Sequence, residues 1–150
     1  MDSVSKLYTV FTVDAVSLPA LKDTALGVIS TQTWSPDLDN DMNNKFVSDY
    51  KAAHGAYPSF YAAQAYDTMM AIDHAVRESG STDAGAMRAV LAEGGIPTTR
   101  GTLAMNTNQF PIQNIYLREV VLDADGVATT KVIGTVFEDH SDAYASECKF

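Results

Sequence analysis

Tyr57-Pro-Ser-Phe-Tyr-Ala-Ala-Gln-Ala-Tyr-Asp-Thr-Met-Met-Ala-Ile-Asp-His-Ala-Val-Arg-Glu-Ser-Gly80 reads as one helix of about five to six turns. Pro58 sets its entry, and the Ser59 hydroxyl is a natural acceptor for the orphan amides of the first turn. Gly80 supplies a left-handed stop. Phe60, Ala63, Tyr66, Met69, Met70, Ala75 and Val76 recur at helical spacing, and Ala62, Ala65 and Ile72 widen the stripe. The stripe predicts a mostly buried helix with Asp73, Arg77 and Glu78 on its wet face.

Helices are expected on both sides of this one. Asp39, Asn40 and Asp41 cap a helix over 42–53 that stops at Gly55, and Thr82 caps another over 83–93 that ends at Gly94-Gly95. The acids Asp37, Asp39 and Asp41 also begin a calcium-loop spacing. That loop needs Gly at its sixth place and Glu at its twelfth, where Met42 and Ser48 stand. Helix capping is therefore the reading adopted.

Strands are expected outside the helices. Leu7 to Val13 is a β-branched and aromatic run with apolar residues on both alternations, as in a strand covered on both faces. Ser17 then caps a short helix over 18–22 with Pro19 in its first turn, and 26–31 is a second strand. Two strands joined by a short helix point to a parallel pair. Further on, 99–105 is a strand with its turn at 106–108. Strands over 113–122 and 127–136 form a hairpin about Asp123-Ala-Asp-Gly126, and a polar, loose tail begins at Glu138. The sum is an α/β fold, helices on a mostly parallel sheet plus a C-terminal β-hairpin.

Composition narrows the function classes. A chain of 150 residues is long enough for a real core, and 46% hydrophobic with 19% charged residues is the balance of a globular protein. A net charge of −9 with ten scattered Lys and Arg argues against nucleic acid, whose phosphates need clustered cations. No run approaches the roughly 18 apolar residues of a membrane span. The first fifteen residues lack the basic start and apolar core of a secretory signal, which taken alone points to the cytoplasm. Cys148 has no partner for a disulfide and no neighbouring His that would activate its thiol.

Catalytic signals are thin. There is no G-x-S-x-G, Walker loop, G-x-G-x-x-G or H-E-x-x-H, hence no expected cofactor and no expected metal. His54 complements a helix end, His74 lies on the outer part of the central helix, and His140 lies in the polar tail without a second ligand cluster. Binding groups are better represented. Tyr57, Phe60, Tyr61 and Tyr66 gather at the start of the central helix, either as core packing or around amides that project towards an anion. Thr12, Val13 and Asp14 lie where the first strand ends, and in open α/β sheets ligands sit at such carboxyl ends. Asp14 receives an ammonium group there or caps the following turn.

A helix ending His54-Gly55, then Tyr57-Pro-Ser-x-Tyr-Ala-Ala-x-Ala-Tyr-Asp67, then a helix ending Ser79-Gly80, resembles the solute-binding proteins of branched-chain amino-acid ABC transporters. The order and spacing continue over roughly residues 7 to 122. The resemblance implies the type I periplasmic-binding-protein fold, in which two α/β lobes joined by crossovers close on a ligand. It places second-lobe strands at 1–33, an interlobe crossover at 34–40, first-lobe helices and a strand at 41–112, and a hairpin and tail returning to the second lobe at 113–150. More than half of such a protein is then missing, as in a C-terminal portion.

The implied parent is periplasmic or extracellular, is not an enzyme, captures an amino acid or aromatic acid, and delivers it to an ABC permease. By motif order Thr12, Val13 and Asp14 supply second-lobe ligand contacts, and Tyr61 and Trp34 supply a wall. Two alternatives stand beside this, a ligand-sensing regulator of the same fold and an unrecognised hydrolase. The wide apolar stripe and the edge of the first strand further predict a homo-oligomer, formed by copies that cover Phe60, Met69, Met70 or that strand.

Overall fold

Pairing begins with two short parallel strands, β1 (Tyr8–Val10) and β2 (Ile29–Gln32), in a computed structural model that describes residues 6–148. Between them run the short helix α1 (Leu18–Leu21) and a 3₁₀ turn over Lys22–Ala25. Three consecutive helices follow: α2 (Asp41–His54), α3 (Phe60–Ser79) and α4 (Ala84–Glu93). The chain then lays down β3 (Ile96–Thr98), β4 (Gly101–Met105), β5 (Pro111–Leu122) and β6 (Ala128–His140). The sheet order is β1-β2-β5-β4-β3, with β6 also paired to β5.

β5 organises the sheet. Its start pairs with β4 through Ala104↔Ile112, its middle pairs with β2 through Thr31↔Leu117, and most of its length pairs with β6. Among the described residues only β1 and β2 run parallel; the pairs β2–β5, β3–β4, β4–β5 and β5–β6 are antiparallel. The expectation of a mostly parallel sheet is corrected accordingly. A parallel neighbour needs a crossover of a dozen or more residues, and the helices after β2 return the chain to strands of the opposite direction.

The central helix agrees with its sequence signals at both ends. The Ser59 Oγ accepts from the Ala62 amide at 3.1 Å, and Gly80 ends the helix at φ +62°. Its burial does not agree. Phe60, Ala63, Asp67 and Ala75 are buried, but Met69 is 62% exposed and Ile72 is exposed as well. The outer part of the stripe lacks a covering element among the described residues.

Other caps shift by a residue or change partner. Asn40 caps α2 by accepting from the Asn43 amide, as expected. Asp83, not Thr82, caps α4 through the Ala86 amide, since its carboxylate is one residue closer to the first free donors. Ser17 does not cap α1 with its side chain; its hydroxyl donates to the Thr12 and Asp14 carbonyls instead.

Strand ends moved further. β1 stops at Val10 because Phe11 turns to φ +55°, and it is exposed rather than covered on both faces. The strand expected over 99–105 forms as β4 over Gly101–Met105, and Thr99 and Arg100 are instead the turn of a tight hairpin with β3, in which Thr98 lies opposite Gly101. The tail is also held: β6 continues through Glu138 to His140, and Asn108 donates to Asp142 at 2.7 Å. His140 is thus a strand residue, paired with Gln113.

Buried apolar residues gather in two clusters. Val13, Leu18, Ala25 and Val120 form one, and Trp34, Phe46, Phe60 and Ala63 form the other.

Candidate binding loop at the start of the central helix

The loop after β1 is built by local polar geometry. The Phe11 amide still donates to Thr31, and then positive φ turns the chain. A bulky residue in that region is strained and persists only where its surroundings hold it. Asp14 closes the turn: its carbonyl accepts from the Ser17 and Leu18 amides, and its Oδ1 accepts from the Val16 amide at 2.9 Å. This is an Asx turn, favoured because the short carboxylate reaches an amide two residues on.

The second carboxylate oxygen leaves the loop. Asp14 Oδ2 accepts from the Phe60 amide at 3.0 Å, which places a negative charge against the positive end of α3. The aromatic rings follow from that contact. Phe11 packs on Phe60 with centroids 5.9 Å apart, and Phe60 packs on Tyr61 at 5.5 Å. Tyr61 is 65% exposed and Phe11 is exposed, so these two rings face solvent beside the loop while Phe60 is buried.

The five residues expected from sequence have different fates. Asp14 and Tyr61 are brought to the same end of α3, and Thr12 is exposed on the loop between Phe11 and Val13. The Val13 side chain is buried with Leu18, Ala25 and Val120, so its carbonyl rather than its side chain is the group available for polar work. Trp34 is only 1% exposed. Its Nε1 donates to Asn43 Oδ1 at 2.8 Å, and its ring meets Phe46 edge-on at 6.3 Å. Its side chain belongs to the core cluster with Phe46, Phe60 and Ala63 and is not an exposed wall. Phe60 is already covered inside the chain and is not a free surface for another copy. The leading amide of α3 is likewise occupied by Asp14.

Two groups at this site were not among the residues singled out from sequence. Phe11 carries no mark of its positive φ within a β-branched run. Arg118 does carry one, as a cation inside the apolar run of β5, and it is fully buried. It donates through Nη1 to the Trp34 carbonyl at 3.0 Å and through Nη2 to the Val13 carbonyl at 3.1 Å. Burial pushes its guanidinium down to about 10, against the pull of Asp14 and Asp37.

The loop residues do not enclose a cavity. Asp14, Trp34 and Arg118 line a space of about 10 Å³, room for one water at most. A cleft of about 420 Å³ opens between Leu18, Lys22, Tyr57 and Val127, and another of about 460 Å³ lies between α3 and the β3–β4 hairpin. Neither takes in Thr12, Asp14 or Tyr61. The second cleft borders a buried clasp in which Asp67 accepts from the Thr99 amide at 2.7 Å and from Arg100 Nε at 3.0 Å. No group of three or more His, Cys, Asp or Glu able to hold a metal occurs among the described residues.

Known proteins resemble this chain in sequence and in fold. A family described as periplasmic binding protein matches residues 2–126. The Leu/Ile/Val-binding protein homolog 6 of Brucella abortus is 38% identical over 130 residues, covering 83% of this chain and 33% of the relative. The chain thus spans about a third of the length of the curated relatives it matches. An ABC-transporter solute-binding protein from R. palustris, solved with benzoate, is 28% identical with a TM-score of 0.77, over 92% of this chain and 37% of that one. A second, from Rhodopseudomonas palustris BisB5 with 3,4-dihydroxybenzoic acid, is 28% identical with a TM-score of 0.75, over 87% and 36%. A substrate-binding protein from Sphaerobacter thermophilus, 24% identical over 91% and 38%, shares the fold at a TM-score of 0.79. With a match across most of its length and this agreement in fold, the chain belongs to the periplasmic binding protein family, in its type I, Leu/Ile/Val-binding-protein-like branch.

Proposed function

We propose that this chain supplies one wall of the ligand cleft of a periplasmic carrier that delivers a small carboxylate to an ABC permease. The observation that carries the reading is the Asp14–Phe60 bond, which holds the loop after β1 against the start of α3 at the carboxyl end of a parallel strand pair. In this reading residues 1–33 and 113–150 belong to one lobe, 41–112 to the other, and 34–40 to a crossover. The bond then joins the two lobes. Thr12, Asp14 and Tyr61 are the ligand-facing groups, with Phe11 beside them and Trp34 as support.

Both oxygens of Asp14 accept from backbone amides, and a buried guanidinium lies behind the loop. That environment is already compensated and offers little to an ammonium group, whereas the exposed rings suit an aryl face. An aromatic carboxylate is therefore favoured over an α-amino acid, in keeping with the benzoate and dihydroxybenzoate bound by the two R. palustris proteins. The chain by itself performs no catalytic turnover and binds weakly, because a single wall leaves a ligand's polar groups in competition with water.

A chimera tests this. The corresponding third of the Brucella abortus relative is replaced by this chain, and calorimetry is run against benzoate, 4-hydroxybenzoate, leucine and phenylalanine. Binding of an aryl carboxylate that is weakened on the order of tenfold or more by Asp14→Ala and by Tyr61→Ala supports the reading. Binding indifferent to both substitutions overturns it.

A further inference from the structure

Arg118 is fully buried, and none of the ion pairs among the described residues includes it. A buried cation without a paired carboxylate is costly, and an apolar side chain of similar volume would serve stability as well or better. What the guanidinium offers is geometry, since its planar fork fixes acceptors relative to one another. Its two shorter bonds go to the carbonyls of Val13 and Trp34, which follow the ends of β1 and β2. Ser30 and Thr130 hydroxyls complete the set at 3.3 and 3.4 Å. Val13 adjoins Asp14, and Asp14 takes the Phe60 amide. A line of contacts therefore runs from β5 through the loop to the start of α3.

We propose that Arg118 is a positioning residue that locks the loop after β1 and the Trp34 segment into one unit, and that the Asp14–Phe60 bond forms only while both carbonyls are held. The functional importance of this coupling rests on the ligand-facing reading of the loop. The coupling itself is tested without ligand, so either can fail alone.

Amide hydrogen exchange is measured by NMR on the wild-type chain and on Arg118→Lys, Arg118→Met and Thr130→Val. In the two Arg118 variants the Phe60 amide is expected to exchange faster by on the order of tenfold relative to Ala71 and Ala75 inside the same helix. Thr130→Val keeps both carbonyl bonds and should leave that ratio unchanged. Trp34, the single tryptophan, should shift its emission in the Arg118 variants and not in Thr130→Val. Uniform acceleration of all three α3 amides would mean a merely structural role and would overturn the proposal. If neither Arg118 variant folds, the wild-type side chain decides. Separate, slowly exchanging Nη1 and Nη2 protons are expected for a fork held on two carbonyls, and a single averaged signal would overturn the proposal.

Discussion

Asp14 and Phe60 lie 46 positions apart in sequence, and a carboxylate-to-amide bond of 3.0 Å joins them. The bond works as a helix cap supplied from a distant loop. Asp14→Ala removes it together with the Asx turn, and should destabilise the chain by about 1–2 kcal/mol. Asp14→Asn keeps an acceptor and should lose less. Urea midpoints at unchanged slope give the comparison, and equal stability of all three proteins would contradict the capping role.

Asn43 is the buried hub of the segment between β2 and α2. It accepts from Trp34 Nε1, and its Nδ2 donates to the carbonyl of Leu38 at 2.9 Å and to those of Ser35 and Pro36 at 3.3 Å. Asn43→Ala leaves an indole donor and carbonyls unpaired in the core, for a loss of about 2–3 kcal/mol. Thermal melting and Trp34 emission should report it together. A melting temperature within a degree or so of wild type would show that the segment relaxes to water, against the burial found for it.

Asp123 provides a pH signature at the β5–β6 turn. The Val127 amide, with help from the Tyr57 hydroxyl, the Asp125 amide and Lys51, holds its carboxylate below the ordinary aspartate value of 3.8 despite partial burial. Between the native and unfolded values the unfolded chain binds more protons. The contribution is therefore complete above the ordinary value and is lost as pH falls through the depressed native one. The stability gap between wild type and Asp123→Asn should be constant near neutrality and close on acidification. A gap that widens in acid would contradict the assignment.

Self-association follows from what the fold leaves open. Tyr8 and Val10 on the edge strand, and Met69 and Ile72 on α3, are exposed. Copies are expected to pair through β1 or the outer α3 stripe. Light scattering at micromolar concentration should give a mass above that of the monomer, lowered by Val10→Lys or Met69→Glu. A monomeric wild type would show that these surfaces need no partner.

The parts of this fold that sequence revealed are those set by local chemistry. Ser59 and Gly80 bound α3 as read, Asn40 caps α2, and the turn after Leu122 forms about Asp123 and Gly126. The parts it concealed depend on distant partners. Nothing in Leu7 to Val13 says that β1 will stop at Val10 where Phe11 turns, and nothing in Glu138 to His140 says that β6 will run on past Val136 to pair with β5. At the site, Asp14 was legible from its place after a strand. Its partner was not, because the Phe60 amide becomes available only once α3 has folded against the loop. Motif order alone assigns Trp34 to a wall, and motif order does not say whether a side chain is exposed or buried. The Asn43 acceptor that allows its burial sits nine residues on, on a helix whose phase only packing fixes.

In the proposed reading the loop after β1 and the first turn of α3 form one ligand-facing surface. A ¹⁵N-labelled sample of this chain titrated with benzoate tests it most directly. Weak binding is expected, on the order of millimolar, with shifts concentrated at Phe11, Thr12, Asp14, Phe60 and Tyr61, and smaller responses to leucine. Shifts confined to the clefts at Lys22 and Val127 or at Leu91 and Ile96, with the loop and Tyr61 unmoved, would contradict it.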